Sequence, residues 1–529
     1  MTSGPWWITA TPPTPNGDLH VGHMAGPYLA ADVLRRFLRA DGHAVVLTTG
    51  MDDHQSYVHA QGLRSGDDAA AVAREFGDRI CTAWLSAEIE FDRVVVPPAD
   101  PRYVPFVQRF FQTLYDAGAL VARDRPLPYC EVCDRWLYEA YVVGGCPHCG
   151  ADSNGNACEL CGRPNECGDL VDPRCTLCDT PATLRSCERL FFPLAAYADR
   201  LEAYWETVAM PPHLHALCET MLADGLPEVA VSHPSGWGVP VPVRGFEEQR
   251  IYVWLEMAPG YMLEYDGSGA GPGRGPVQFF GFDNGYFHAI LFPALFMAVD
   301  PKIPLATSFI MNEFYLLEGK KFSTSRRHAV WAIDALRDAG SDALRFHVLA
   351  DRPVGRETNF EADDLQIARQ YLRTRWNGWL ERLSAAVRSE CDGAAPIERP
   401  RGSDWDLLAA RLRHTAAELR DAYSEEGFDT RRAVSLLDET VRLAEDYGYV
   451  HAHRRSGPSG ASEYRAALTA QLAVASALAA WAAPILPEGA GRLAAMLGVA
   501  PTRPITADAL VAPEAGTRLS EPDGAIFGA

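Results

Sequence analysis

Asn16-Gly17-Asp18-Leu19-His20-Val21-Gly22-His23 is the stretch that decides the fold of this 529-residue chain; it follows Trp6-Trp7-Ile8-Thr9-Ala10-Thr11-Pro12-Pro13. A short β-rich segment, a Pro/Asn/Gly turn and an amphipathic run from about Val21 to Ala40 predict a strand, a tight loop and a helix. Such a junction aims backbone N–H groups and the positive end of a helix dipole at its guest, so phosphate is the natural ligand. His20 and His23 add donors beside that anion. An ordinary N-cap turn with two surface histidines would look similar, and a second motif far down the chain decides between them.

Outward from this stretch, composition sets bounds. The length predicts three or four structural units around a sizeable core. With 48 basic against 69 acidic residues the net charge is −21, which excludes a bulk electrostatic drive toward nucleic acid; any RNA contact requires a local basic patch. The apolar run Ala467 to Leu486 carries Gln471 and Pro484 and reads as a packed helix rather than a membrane span. No signal pattern precedes Trp6, and the expectation is a cytoplasmic protein without membrane partners. The lysines are Lys302, Lys320 and Lys321 alone, so the adjacent pair marks a place where a compact ammonium is wanted in an arginine-based sequence.

A second buried strand, Ala44 to Gly50, ends at Met51-Asp52-Asp53-His54-Gln55, and ligands in open α/β sheets bind at such carboxyl ends. Asp52 is therefore a candidate partner for a substrate ammonium, or else a helix N-cap. From Pro126 the texture changes. Eight of thirteen cysteines form the pairs Cys130/Cys133, Cys146/Cys149, Cys158/Cys161 and Cys175/Cys178. In this context paired spacing predicts two closed, structural four-thiolate zinc sites, with several pairings of the four knuckles open. α/β texture returns at Val229, a buried strand Val277 to Gly281 ends at Phe282-Asp283-Asn284, and an apolar helix runs from about Phe287 to Met297. Then comes Leu317-Glu318-Gly319-Lys320-Lys321-Phe322-Ser323-Thr324-Ser325-Arg326, a loop able to close over pyrophosphate. Beyond Asp334 the spacing is helical, interrupted by a linker at Cys391 to Ser403, and predicts a bundle; after Ala500 the tail carries no pattern.

The first stretch resembles the first signature of class I aminoacyl-tRNA synthetases, and Lys320 to Ser325 resembles their lysine-serine loop. With the knuckles, the resemblance is to the methionyl-tRNA synthetase family over nearly the whole chain. It implies an α/β, Rossmann-type class I catalytic domain split by a zinc-knuckle insert and followed by an all-α helical bundle. The implied boundaries are 1–118 and 229–325 for the two catalytic halves and 119–228 for the insert. A stem-contact linker region would span 326–363, and a bundle resembling an anticodon-binding domain 364–529. The cofactors implied are ATP with Mg2+ and two structural Zn2+. His20, His23 and Lys321 would be catalytic, while Asn16, Gly17, Gly22, Asp283, Lys320, Ser323, Thr324 and Ser325 would bind ATP. Asp52 would hold the amino group; Trp254, Tyr261 and His288 would line the side-chain pocket, with Asn284 beside them. The middle two cysteine pairs would share one ion and the outer two the other.

Departures from the family pattern are concentrated in the pocket. Thr11-Pro12-Pro13-Thr14 stands where Ala-Leu-Pro-Tyr is usual, Glu256-Met257-Ala258-Pro259-Gly260-Tyr261 replaces Asp-Ala-Pro-Ile-Gly-Tyr, and Phe292 replaces a tryptophan. This places Pro12, Thr14, Met257, Ala258 and Phe292 among the substrate-binding residues and predicts a changed ligand preference. In the bundle, Asn377 is followed by Glu381 with Arg382 one place late, and His453-Arg454 holds the usual Pro-Trp position. Trp376 or Trp379 would then have to supply base stacking. The expectation drawn from these departures is adenylation of an amino acid and acyl transfer to a small N-hydroxylated amine in hydrazine-type metabolism, with a separate cupin partner and without tRNA. The alternative is a methionine-tRNA ligase charging tRNA(Met). The intact His20, His23 and Lys321 argue against a third reading, an idle binding protein.

Overall fold

The computed structural model describes residues 5–266, 274–322, 328–453, 460–521 and 524–529. Before the cysteine-rich segment the chain lays down β1 (Trp6–Ala10), β2 (Val45–Gly50) and β3 (Arg93–Val95). The insert is organised on the long antiparallel pair β4 (Val121–Cys130) and β5 (Thr183–Pro193). After it come β6 (Val277–Gly281) and β7 (Ser308–Asn312). The two halves meet in one parallel sheet of order β7-β6-β1-β2-β3, with Ile8 opposite Val277 on one side and Leu47 on the other. These strands are apolar almost throughout because helices cover both faces, as a parallel sheet requires. All five carboxyl ends open to the same edge, and the cleft lies there.

The helix expected from Val21 to Ala40 is interrupted. A short turn Val21–His23 and a wide turn Met24–Tyr28 precede the regular helix Leu29–Ala40. Gly26 leaves helical geometry (φ −75°, ψ −122°) just before Pro27, which has no N–H to continue the ladder. A Cβ on Gly26 would stand 3.3 Å from Asn312 Oδ1, so the kink also lets the helix pack tightly on β7.

The C-terminal half is helical. Gly378–Cys391, Ser403–Tyr423, Thr430–Ala452, Gly460–Trp481 and Pro487–Leu497 form the bundle. Its core is continuous with that of the first catalytic half, running from Ile8 and Leu47 through Leu344 to Trp376, Leu412 and Trp481. At this junction the wholly buried Arg345 donates to Asp32 (2.8 Å) and to the carbonyls of Ala87 (2.9 Å), Pro484 (2.9 Å) and Ile485 (2.7 Å). The other face of the sheet, Phe280 and Phe309 included, packs in a separate apolar cluster with the helices Tyr103–Asp116 and Val253–Asp266 and the base of the insert. The patternless tail is part of the core as well: Ile505 and Phe527 are fully buried, and Asn377 holds Phe527 by both its backbone groups (2.7 and 2.9 Å). Among the described residues no helix is long and apolar enough to cross a membrane.

Candidate active site

The turn after β1 carries the first set of groups. His20 is extended (φ −105°, ψ 169°), and its backbone N–H donates to His23 Nδ1 at 3.1 Å, which leaves the proton of a neutral His23 on Nε2. The two rings stack at 3.7 Å, and His20 stacks on Phe322 at 4.6 Å. Gly22 makes this possible, since a Cβ there would lie 3.0 Å from His20 Nδ1 and 3.1 Å from Phe322. Burial pulls His23 down to about 4, and burial together with its neighbour lowers His20 well below the ordinary histidine value. Both are therefore neutral donors at pH 7, not cations. Lys321 supplies the positive charge. It sits on a hairpin whose strands Tyr315–Leu317 and Lys320–Lys321 are joined by Glu318 and Gly319, both at positive φ as two-residue turns demand.

Asp52, at the end of β2, is buried and accepts hydrogen bonds from Thr14 Oγ1 (3.2 Å) and Gln55 Nε2 (3.3 Å). Burial raises its pKa well above the carboxylate range, the charges of Glu256 and Glu139 add to this, and the two hydrogen bonds oppose it. Such a carboxyl gains most from an ammonium partner. Asp283, at the end of β6, is pushed up to about 6 by burial and by Glu159, with Lys321 opposing. Its close turn is set by Gly281, where a Cβ would lie 2.6 Å from the Asp283 carboxylate.

One cleft of about 530 Å³ brings together Pro12, Thr14, Asn16, Gly17, His20, Gly22, His23, Asp52, Trp254, Asp283, Asn284 and Lys321. Trp254 lies flat on Phe287 at 3.5 Å, with its indole N–H unpartnered. Tyr261, His288 and Phe292 lie elsewhere, on a neighbouring apolar cavity of about 440 Å³. There His288 Nδ1 is 3.1 Å from Gln278 Oε1 and Nε2 is 3.3 Å from Thr11 Oγ1, and burial drives its pKa down to about 3. Met257 lines a small void shared with Pro12 and Asp52.

Four of the residues singled out in the sequence lie away from the cleft. Ala258 is fully buried and borders none of these cavities, because its helix Val253–Asp266 turns that face into the core. Lys320 is exposed and lines neither cavity, since neighbouring residues of a strand point to opposite faces. Trp376 and Trp379 cannot stack on a base: both are buried, with their indole N–H groups bound to Asp438 (3.1 Å) and Gln471 (3.1 Å). Ser323, Thr324, Ser325 and Arg454 lie outside the described residues. The cleft also contains groups that the sequence reading missed. Gln55 was within reach, three residues after Asp52 at a helix start. Asn154, Asn156 and Glu159 were not, because only the folded insert delivers them.

The eight paired cysteines form two tetrads, Cys130/Cys133/Cys175/Cys178 and Cys146/Cys149/Cys158/Cys161, the nested arrangement. Sγ atoms stand 3.4 Å (Cys130–Cys178), 3.9 Å (Cys133–Cys175), 4.0 Å (Cys146–Cys161) and 3.7 Å (Cys149–Cys158) apart, close to the roughly 3.8 Å that tetrahedral Zn–S bonds of about 2.3 Å require. The residue after each second cysteine has positive φ: Asp134, Gly150, Gly162 and Asp179. The tetrads fit zinc, with no position left open for water.

Comparison with known proteins places the chain in a family. The family described as tRNA synthetases class I (M) matches residues 6–382. The methionine–tRNA ligase of Thermomicrobium roseum is 31% identical over 505 residues, covering 92% of this chain and 85% of that protein. That of Pyrobaculum calidifontis is 30% identical over 535 residues, covering 95% and 90%. The Mycobacterium tuberculosis methionyl-tRNA synthetase in complex with methionyl-adenylate shares the fold, with a TM-score of 0.81 at 22% identity, covering 99% of this chain and 100% of that one. These relatives overturn the expectation of a hydrazine-type ligase with a small N-hydroxylated acceptor and a cupin partner. Full-length similarity is to ligases of tRNA, and pocket departures alone do not outweigh it.

Proposed function

The chain belongs to the methionyl-tRNA synthetase family of class I tRNA synthetases, and from that membership we propose that it activates methionine with ATP and charges tRNA(Met). The observation that carries the reading is that His20, His23 and Lys321 line one cleft with the buried Asp52 and with Trp254. Asp52 takes the α-ammonium of the amino acid. The amino-acid carboxylate then attacks the α-phosphorus of ATP; the new O–P bond forms as the bridge to the β-phosphate breaks, and pyrophosphate leaves. Neutral His20 and His23 donate hydrogen bonds to the phosphates, and Lys321 compensates charge gathering on the leaving group. In the second step a terminal ribose hydroxyl of tRNA attacks the acyl carbonyl and AMP departs.

Mg2+ enters as the counter-ion of the triphosphate, held chiefly by the phosphates themselves. Zinc shapes the cleft rim through the inner tetrad, which carries Glu159. An exposed aromatic ring on the bundle supports a tRNA partner despite the net charge of −21. Tyr449 is 53% exposed with Arg382 5.2 Å over its ring, and Arg375 and Arg382 flank Glu445. Aromatic rings backed by arginine are sequence-tolerant stacking platforms for bases. ATP–pyrophosphate exchange across a panel of amino acids tests the proposal. Methionine is expected to support the fastest exchange, and exchange with another amino acid alone would refute it.

A further inference from the structure

We propose that Glu159 of the inner cysteine knuckle is the positioning residue for Lys321, holding its ammonium at the cleft until the phosphates of the nucleotide take it over. The inference rests on the reading of the cleft as an ATP site. Lys321 Nζ stands 3.1 Å from Glu159 Oε2 and 3.6 Å from the centroid of the Phe314 ring. Glu159 and Lys321 both line the cleft that contains His20 and His23.

Both ends of the contact are carried on stiff supports. Glu159 lies between Cys158 and Cys161, two members of one tetrad, so a bound zinc fixes the backbone on either side of it. Lys321 ends a hairpin whose two-residue turn is pinned by Gly319 N–H donating to Asn359 Oδ1. The pair therefore joins the insert to the lysine loop across 162 positions of sequence.

Strength and chemistry suit a contact that must be surrendered. The side chains of Lys321 and Glu159 are 34% and 60% exposed, and an ion pair in that setting is weak. A polyphosphate outcompetes it. An ammonium can change partners without the paired geometry that a guanidinium demands, which gives a reason for lysine here in a chain that otherwise uses arginine. Glu159 also shares the cleft with Asp283 and Glu313, so while the cleft is free of nucleotide Lys321 offsets a crowd of carboxylates.

The test uses the full-length, zinc-loaded protein and exploits its three lysines. Limited amine acylation read by mass spectrometry reports Lys321 against Lys302 without nucleotide. Glu159→Gln should raise Lys321 labelling about two- to fivefold, and the charge reversal Glu159→Lys should raise it further. Leu160→Ser, on the exposed neighbour in the same knuckle, should leave it unchanged. In pyrophosphate exchange, Glu159→Gln should lower KM for ATP about two- to fivefold, with kcat moving less. Unchanged labelling in both Glu159 variants at full zinc content overturns the contact. Raised labelling with an unchanged KM for ATP overturns the hand-over. Absence of methionine-dependent exchange in the wild type counts against the proposed function instead, and the labelling still reports on the contact.

Discussion

Lys321 and Lys320 are adjacent in sequence yet have different fates, because one lines the cleft and the other faces solvent. Lys321→Ala should cut kcat for methionine-dependent exchange by about 10²-fold or more, the usual effect of removing a group that stabilises developing charge, whereas Lys320→Ala should cost far less. Steady-state exchange kinetics check both. His288 gives a pH prediction. Its folded pKa, about 3, lies below the ordinary value of 6.5 because burial disfavours the cation. The unfolded chain therefore binds the extra proton first, so the stability associated with neutral His288 is complete above pH 6.5 and is lost as pH falls from 6.5 toward 3. Between pH 7.5 and 5 this one group should remove about 2 kcal/mol, and denaturant unfolding of His288→Gln should show a correspondingly flatter pH dependence.

At the scale of elements, the knuckles are the most exposed to test. Metal analysis should find two zinc ions per chain, and chelation should open the segment from Cys130 to Cys178 to proteolysis while the parallel sheet survives. On the bundle, Tyr449→Ala should raise KM for tRNA about tenfold and leave pyrophosphate exchange untouched, while Tyr449→Trp retains tRNA affinity. What the sequence disclosed followed how local each element is. A knuckle is a four-residue motif with a positive-φ residue after it, so the cysteine pairs were readable, and their nesting came only through family resemblance. The strand–turn–helix at His20 was equally local, although the Gly26-Pro27 break within it was overlooked. Burial of Trp376 and Trp379 depends on how distant helices meet, and a tryptophan in an amphipathic run carries no mark of which face will be covered. Tyr449 escaped notice for the same reason, being two residues from the buried Tyr447. Asn377 clamps the tail at Phe527, a pairing across 150 residues that no spacing reveals.

Over the whole molecule, the sheet that carries the cleft and the helical bundle share one apolar core. Arg345 is central to that union, because its four hydrogen bonds tie the first catalytic half to the loop before the final helices. Arg345→Ala would strand three buried carbonyls and take one of its donors from Asp32, and should cost about 3 to 5 kcal/mol in denaturant unfolding. The pocket departures at Pro12, Thr14 and Phe292 act on a smaller scale than this architecture. Pro12 and Thr14 line the cleft, and Phe292 lines the neighbouring apolar cavity. The most direct test of the central claim is single-turnover aminoacylation, in which purified enzyme, ATP and labelled methionine are incubated with tRNA(Met) and the charged tRNA is resolved on acid gels. Methionyl-tRNA that forms with tRNA(Met), and not with a tRNA bearing another anticodon, is the predicted result. Methionine-dependent pyrophosphate exchange without any charged tRNA(Met) would contradict it.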